Sequence, residues 1–193
     1  MSWSHLSALD VAPRAWRNGG GLTRELLAWP RPDDWALRIS VADIEASGPF
    51  SAFPGVARHF AVLQGAGVRL RFAHEVRELR PGDALFGFDG GAAPQCELLE
   101  GFTRDFNLMH RMGQGRLRWQ PATQPLTPPA GTRWFGLFTQ AGGQLRHGDR
   151  AMDLAPMSLA WCAAPAAQRC VFSAQPEGQA AWWIELLGEA ELR

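Results

Sequence analysis

The sequence has no lysine and no tyrosine, and it contains only three cysteines among 193 residues. All nineteen basic residues are therefore arginine, and nineteen acidic residues bring the formal net charge to zero. Proteins that bind nucleic acids or membrane surfaces usually carry an excess of positive charge for their phosphate contacts. The balanced charge therefore predicts neither a nucleic-acid partner nor a membrane partner.

Long apolar runs are absent as well. No stretch approaches the roughly 18 consecutive apolar residues that a transmembrane helix needs. The segment Met1–Asp10 lacks the basic start and apolar run of a secretory signal. Cys96, Cys162 and Cys170 form no Cys-x-x-Cys pair, and their odd number fits apolar core residues in a reducing compartment. We therefore expect a cytoplasmic protein.

Glycine and proline are abundant, at 21 and 14 residues, and they divide the sequence into short segments. The segments between them show the alternation of β-strands or nearly continuous apolar runs. Short, regularly spaced runs of this kind predict an all-β sandwich or barrel. The predicted strands are Trp35–Val41, His59–Leu63, Val68–Phe72, Ala84–Phe88, Cys96–Leu99, Phe106–Met109, Leu117–Gln120, Arg133–Thr139, Leu159–Cys162, Cys170–Phe172 and Ala181–Leu187.

Two further segments set the predicted organisation of the chain. Leu22–Trp29 carries a weak helical signal and could equally be a strand that pairs with Trp35–Val41. The stretch 120–131 is rich in proline and poor in apolar residues, which is typical of a connector. We therefore expect an N-terminal barrel at 1–119, this connector, and a smaller C-terminal β unit at 132–193.

An internal repeat supports this organisation. At an offset of 75 residues, Ala66–Pro81 aligns without a gap on Ala141–Pro156. Both copies contain a glycine turn, a strand, a polar hairpin, a second strand that ends in leucine, and a proline turn. We therefore expect a duplicated fold in which Val68–Phe72 and Gln144–His147 occupy matching strands.

The turn Pro81-Gly82-Asp83 resembles a turn that leads into a barrel strand in the cupin superfamily. An ordinary β-turn explains this tripeptide equally well, but the duplicated β unit around it favours the cupin interpretation. Metal-dependent cupins use a His-x-His pair with a downstream Glu and a later His. The histidines of this chain form no such pair, so we predict a cupin without a metal or another cofactor.

A more specific resemblance begins at residue 16. The segment Trp16-Arg-Asn-Gly-Gly-Gly-Leu-Thr-Arg-Glu25 is similar to the W-[KR]-N-G-G-G-x-T-x-E signature of the HutD/Ves family. The resemblance is dense between about residues 13 and 111 and thin afterwards. Further matching blocks follow in order at Trp35–Glu45, Gly48–Arg58, Cys96–Leu99 and Arg104–Met109.

This resemblance implies a bicupin of the RmlC-like type, with two cupin-like barrels. It also implies a protein that binds an anionic metabolite of the urocanate or N-formylglutamate class and modulates histidine utilisation. The alternatives are a metal-independent hydrolase or isomerase that uses Glu25, Asp105 or His59, a Ves-like stress-response protein, and an assembly module. The sequence lacks a serine nucleophile elbow and an H-E-x-x-H motif. We therefore favour the binder and assign no catalytic residue.

Arg58 is the strongest candidate for ligand binding. It lies among apolar residues just before a strand, where an arginine is usually paired or projects from a rim. In the first interpretation its guanidinium holds a ligand carboxylate through two parallel hydrogen bonds. In the second it forms a structural ion pair with Asp43 or Glu25. The family resemblance, in which this position belongs to the pocket, favours the ligand.

The other candidates follow from strand alternation and from the glycine run. Alternation places Asp105 and Asn107 on one face of a strand, which either points into the barrel and needs polar partners or is solvated. The glycines after Asn18 permit a close backbone approach. The predicted ligand-binding residues are Trp16, Asn18, Thr23, Glu25, Arg58, Asp105 and Asn107, with Phe50, Phe53 and Phe106 as the apolar part.

Trp182 and Trp183 are adjacent near the C-terminus. Neighbouring side chains of a strand point to opposite faces. We therefore expect one indole in the core and the other exposed or at an interface, which leaves a homodimer open.

Overall fold

The computed structural model describes residues 2–176 and 178–188. Apart from two short 3-10 helices, the regular structure of this part of the chain is β-strand, so the all-β prediction is confirmed. No helix in it is long and apolar enough to cross a membrane. The strands are β1 (Ser4–Ser7), β2 (Arg14–Ala15), β3 (Gly21–Pro30), β4 (Trp35–Ile44), β5 (Gly48–Pro49), β6 (Val56–Gln64), β7 (Val68–Arg71), β8 (Val76–Leu79), β9 (Phe86–Asp89), β10 (Gln95–Leu98), β11 (Thr103–Arg111), β12 (Arg116–Pro121), β13 (Thr132–Thr139), β14 (Gly143–His147), β15 (Arg150–Leu154), β16 (Ser158–Ala163), β17 (Cys170–Ala174) and β18 (Ala181–Leu187).

The chain forms two compact units, which we call the pocket unit and the closing unit. The pocket unit is Val11–Met112, and the closing unit contains residues 2–10 and 113–188. This division differs from the predicted one at 1–119 and 132–193. The physical reason is strand pairing, because β1 pairs with β16 and β12 pairs with β18. The predicted connector 120–131 therefore lies inside the closing unit.

The pocket unit contains a six-stranded and a four-stranded sheet. Their strand orders are β2-β3-β4-β11-β6-β9 and β5-β10-β7-β8. Leu22–Trp29 lies in β3, which pairs antiparallel with β4, so the strand interpretation of this segment is the correct one. A core cluster of this unit is formed by Ile44, Phe50, Phe60, Val62, Val68, Leu70, Leu79 and Cys96.

The closing unit contains a five-stranded sheet, β1-β16-β13-β18-β12, and a three-stranded sheet, β15-β14-β17. Both Trp182 and Trp183 of β18 are buried, so the expectation that one of them is exposed is wrong. Each indole stacks on a phenylalanine of β13, Trp183 on Phe135 and Trp182 on Phe138. A homodimer therefore stays a prediction without the support of an exposed tryptophan.

The two units repeat one pattern of strand pairing. Strand β7 lies between β8 and β10, and β14 lies between β15 and β17. Strand β6 lies between β9 and β11, and β13 lies between β16 and β18. The two segments aligned by the sequence repeat, around Val68–Arg71 and Gly143–His147, thus occupy equivalent central strands.

The three cysteines are free thiols inside the two cores. Cys96 packs in the core of the pocket unit, while Cys162 and Cys170 pack in the core of the closing unit. Burial raises the pKa of Cys96 and of Cys170 to about 12 and that of Cys162 to about 11. The thiols are therefore protonated at neutral pH, as expected for apolar core residues.

Candidate functional site

A cavity of about 490 Å³ lies in the pocket unit. Alternate residues of β4 and β11 line it, because side chains of a strand alternate between its two faces. Six of the seven predicted ligand-binding residues take part in the lining, namely Trp16, Asn18, Thr23, Arg58, Asp105 and Asn107. Their role in binding stays a prediction, but the fold brings them to one place. The other residues of the lining are Ala15, Arg17, Arg38, Ser40, Ala42, Pro49, Phe50, Ser51, Phe53 and Met109.

Arg58 is a buried cation on β6, with an exposed fraction of 5%. Its Cζ atom lies 4.9 Å from the ring centroid of Phe50, 5.2 Å from that of Phe88 and 5.7 Å from that of Phe53. Each aromatic face stabilises a cation by about 0.5–2 kcal/mol but adds no counter-charge. Burial lowers the pKa of Arg58 to about 10. The side chain therefore remains positively charged at neutral pH.

Neither Asp43 nor Glu25 forms an ion pair with Arg58. Asp43 accepts hydrogen bonds from Arg24 Nη1 at 2.7 Å and from Arg104 Nε at 2.6 Å. Glu25 accepts one from Arg38 Nε at 2.6 Å. Among the ion pairs of residues 2–176 and 178–188, none involves Arg58, so the alternative interpretation of Arg58 as the ion-pair partner of Asp43 or Glu25 is wrong.

Asp105 and Asn107 face the cavity from β11, so their face of the strand is the inward one. They are almost fully buried, with exposed fractions of 1% and 8%. Asn107 Oδ1 accepts a hydrogen bond from Arg58 Nη2 at 2.8 Å, and Asn107 Nδ2 donates one to Asp105 Oδ1. One amide thus bridges the guanidinium and the carboxyl group.

The hydrogen bonds through Asn107 leave one nitrogen of Arg58 and one oxygen of Asp105 unused. Within the described part of the chain, Nε of Arg58 and Oδ2 of Asp105 have no hydrogen-bond partner. A buried polar atom without a partner costs about 1–3 kcal/mol. Burial also raises the pKa of Asp105 well above its usual range, and the charge of Arg58 opposes this shift without cancelling it. The geometry thus leaves Arg58 with its charge uncompensated when Asp105 is neutral.

The glycine run shapes one wall of the cavity. A Cβ atom at Gly21 would lie 2.3 Å from the carbonyl oxygen of Asp43, so only glycine allows β3 to pass this close to β4. Asn18 Oδ1 accepts a hydrogen bond from the backbone nitrogen of Gly20 at 3.1 Å, which stabilises the turn. Trp16 Nε1 donates to Thr23 Oγ1 at 2.7 Å and holds the indole beside the strand.

Of the seven predicted ligand-binding residues, only Glu25 is absent from the lining. It acts there indirectly, because its partner Arg38 does line the cavity. Ser40 and Met109 also line it, and none of the three residues Arg38, Ser40 and Met109 was predicted from the sequence. Alternation along β4 and β11 from the neighbouring candidates is the signal that could have identified them. Phe106 points to the opposite face of β11 and is not part of the apolar lining, contrary to expectation.

The residues considered for catalysis do not form one site. Asp105 lines the cavity, whereas the carboxylate of Glu25 is engaged by Arg38. His59 follows Arg58 on β6 and therefore points to the other face of that strand. Burial and the neighbouring His110 lower its pKa. Of these three residues, only Asp105 therefore lies in the cavity lining.

The cavity lining suits an anion better than a metal ion. Divalent metals in proteins are held by several histidine, cysteine or carboxylate donors. The described residues contain no group of three or more such side chains placed to hold an ion. The lining combines one carboxyl group, that of Asp105, with the cations of Arg17, Arg38 and Arg58. These side chains do not fit the metal of a metal-dependent cupin.

Comparison with known proteins identifies the family to which this chain belongs. The family model HutD matches residues 8–182. The chain belongs to the HutD family. A relative, the 21.2 kDa protein of the hutC 3′ region of Pseudomonas putida, is 42% identical over 132 residues, which are 66% of this chain and 69% of the relative. Protein Ves of Escherichia fergusonii is 34% identical over 133 residues, which are 66% and 67% of the two chains.

Solved structures agree with the HutD assignment. HutD from Pseudomonas fluorescens superposes with a TM-score of 0.80 at 28% identity, over 96% of this chain and 98% of that one. A variant of the oxalate decarboxylase of Bacillus subtilis superposes with a TM-score of 0.60 at 10% identity, over 95% and 76% of the two chains. The second likeness concerns the fold alone. The HutD-family chain thus has a cupin-like fold, as predicted.

Proposed function

We propose that this HutD-family protein binds a small anionic metabolite of the urocanate or N-formylglutamate class and thereby modulates histidine utilisation, without catalysing a reaction. The observation that carries the proposal is the buried Arg58, whose charge meets aromatic rings and an amide in place of a carboxylate. The link to histidine utilisation is taken from the names of the relatives, a protein of the hutC region and a HutD protein.

A carboxylate is the anion that this environment favours. The guanidinium offers a planar set of donors that matches the two oxygens of a carboxylate, and its Nε–H is unused among the described residues. Small-ligand sites are typically about 300–1,000 Å³, mostly apolar, with a few convergent polar groups. The cavity has a suitable volume of about 490 Å³, and Phe50, Phe53 and Met109 supply apolar contacts.

The finer points of the fold belong to the same proposal. We propose that the two units are the two cupin-like barrels of a bicupin and that the protein works without a metal or another cofactor. The repeated strand pairing supports the first part, and the cationic lining of the cavity supports the second.

The test is calorimetric titration of the protein with urocanate and with N-formyl-L-glutamate. The control ligands are the corresponding carboxamides, which keep the shape and lose the charge. We expect the acids to bind and the amides to bind much more weakly, because an uncharged group does not compensate Arg58. Chromatography of the recovered ligand detects turnover. Hydrolysis or isomerisation would favour the enzyme instead, and no binding of either acid would contradict the proposal.

A further inference from the structure

We propose that carboxylate binding in this cavity is linked to a proton on Asp105, such that the protein binds the anion in the form in which Asp105 is protonated. This inference rests on the proposed function, because it concerns the same cavity and the same cation. It adds a regulation of the site, namely a ligand affinity that depends on pH.

A chain of hydrogen bonds joins Arg58 to Asp105 through Asn107. The guanidinium donates to one end of the Asn107 amide, and the other end of that amide donates to Asp105. An ionised Asp105 is therefore a built-in counter-charge for Arg58, acting through Asn107. Such a carboxylate competes with any anion that enters the cavity. A protonated Asp105 leaves the charge of Arg58 available to the ligand.

The carboxyl group of Asp105 is itself buried. Asp105 is 1% exposed, and its Oδ2 atom finds no hydrogen-bond partner in residues 2–176 and 178–188. An ionised oxygen in this position is shielded from solvent and has no donor among the described residues, which makes the charged form costly. A protonated carboxyl group carries no charge and avoids most of this cost. The geometry thus favours the neutral form.

The groups that surround Asp105 act on its pKa in opposite directions. Burial raises the pKa most, and Asp43 on β4 raises it further. Arg58 on β6 and the hydrogen bond from Asn107 lower it. From β10, Cys96 faces the same region with a thiol whose pKa is raised to about 12, first by burial and then by Asp105, so that the thiol adds no charge.

The remaining charged side chains of the lining are those of Arg17 and Arg38. Arg38 on β4 is engaged by Glu25, and it lies close enough to Arg58 to lower the pKa of that guanidinium. A carboxylate bound to Arg58 cancels the attraction by which Arg58 favours an ionised Asp105. The pKa of Asp105 is therefore higher in the complex than in the free protein.

The direction in which the affinity changes with pH follows because ligand binding and the protonation of Asp105 are linked equilibria. Because the ligand prefers the protonated form, the affinity is highest below the pKa of Asp105 in the free protein. Above that pKa it falls by up to about tenfold for each pH unit, until the pKa of the complex is reached. Binding in the interval between the two pKa values takes up one proton.

The first measurement is a calorimetric titration with N-formyl-L-glutamate between about pH 6 and about pH 9. The ligand carboxylates titrate near pH 4 and stay ionised throughout this range. We expect the affinity to fall as the pH rises, with proton uptake visible in buffers of different ionisation enthalpy. Asp105→Asn flattens this profile, whereas Asp34→Asn, an exposed carboxylate of the same unit, keeps it.

The second measurement reports on Asp105 without any variant. The carboxyl carbon of Asp105, assigned through its own backbone by NMR, has different chemical shifts in its protonated and ionised forms. We expect the protonated form in the complex with N-formyl-L-glutamate at neutral pH. An ionised Asp105 in a complex that does form would overturn this inference and leave the proposed function intact. An acid that fails to bind at every pH would overturn both.

Discussion

At the scale of a single residue, the interpretation of the cavity as a ligand site depends on Arg58. Three phenylalanine rings and one amide surround its guanidinium. In the part of the chain that the structure describes, Arg58 forms no ion pair. An arginine that stabilises the fold through an ion pair has its carboxylate within reach, as Arg104 has in Asp43 at 2.6 Å. The ion pair gives Arg104 a structural role, whereas the ligand-binding role of Arg58 stays a prediction.

Substitution of Arg58 separates the two tasks. We expect Arg58→Ala to weaken the binding of N-formyl-L-glutamate by about 2–5 kcal/mol, because the ligand loses a buried charge partner. Arg58→Lys keeps the charge but loses the planar set of donors, so it should also weaken binding, by a smaller amount. Calorimetric titration measures both effects, with the exposed Arg31→Ala as the control.

The melting temperatures of the same variants complete this experiment. Since Arg58 forms no ion pair with the described residues, we expect its replacement to change the stability of the fold much less than the affinity. Unchanged affinity together with a collapsed melting temperature would instead make Arg58 a structural residue and contradict the assignment of the site.

Several of the residues that face the cavity were predictable from the sequence, but the pairing of the charges was not. Alternation placed Asp105 and Asn107 on one face of a strand before any contact was known. The partner of Arg58 depended on the register of β4, β6 and β11, strands that meet only in the folded sheet. In that register Asp43 points away from the cavity and lies opposite Arg104.

At the scale of elements, the close approach of β3 to β4 forms the wall that carries Trp16 and Thr23. We expect Gly21→Ala to lower the free energy of unfolding by about 1–3 kcal/mol, because a Cβ atom there would lie 2.3 Å from the carbonyl oxygen of Asp43. Urea unfolding measures the change. Gly48→Ala is the matched control, since its Cβ would meet only the side chain of Asn18, at 4.0 Å. Equal stability of both variants would contradict the packing argument.

Asp43 joins three strands of the six-stranded sheet through Arg24 and Arg104. Burial opposes ionisation of Asp43, but the hydrogen bonds from Arg104 and Arg24 outweigh it and lower the pKa of Asp43. A carboxylate with a lowered pKa stabilises the fold above its ordinary pKa of 3.8 and loses this contribution as the pH falls through the lowered value. The ion pairs therefore stabilise the protein at neutral pH and not in strong acid.

Asp43→Asn tests this dependence. At neutral pH we expect it to lower the free energy of unfolding by more than the roughly 1 kcal/mol of an exposed ion pair and by no more than the roughly 3–5 kcal/mol of a fully buried one. Urea unfolding at neutral pH and near pH 3 compares the variant with the wild type. The difference should shrink in acid, and a difference that is constant with pH would contradict the role of charge.

The limits of sequence analysis at this scale follow from the range of the interactions. The apolar runs predicted where strands lie, because alternation is a local property. The sheet that a strand joins is decided by partners far away in the sequence. Strand β1 pairs with β16, and β12 pairs with β18, so no local signal near residue 119 marks a boundary. The proline-rich stretch 120–131 is predictable as irregular but not as part of the closing unit.

At the scale of the whole molecule, the two repeated units differ in what fills their interiors. In the pocket unit, Val62 of β6 pairs with Asp105 of β11. In the closing unit, the equivalent Leu137 of β13 pairs with Trp183 of β18. In the strand register, Trp183 thus corresponds to Asp105, and its indole stacks on Phe135 with 5.4 Å between the ring centroids. Alignment at the constant offset of 75 misses this equivalence, because the last strand is displaced relative to that offset.

This difference predicts which unit responds to ligand. A bound ligand slows hydrogen exchange only at amides whose exchange requires an opening that disrupts its site. At about 100 times the dissociation constant the stabilisation is about 2.7 kcal/mol, or about 100-fold slower exchange. With N-formyl-L-glutamate we expect this protection, among amides that exchange by local opening, in β4, β6 and β11 and not in β13 or β18. Hydrogen–deuterium exchange read by mass spectrometry measures it, with Arg58→Ala as the control. Protection that arises first in β13 and β18 would place the ligand in the closing unit and remove the site from the cavity. Protection of β4, β6 and β11 that survives in Arg58→Ala would contradict the role of Arg58.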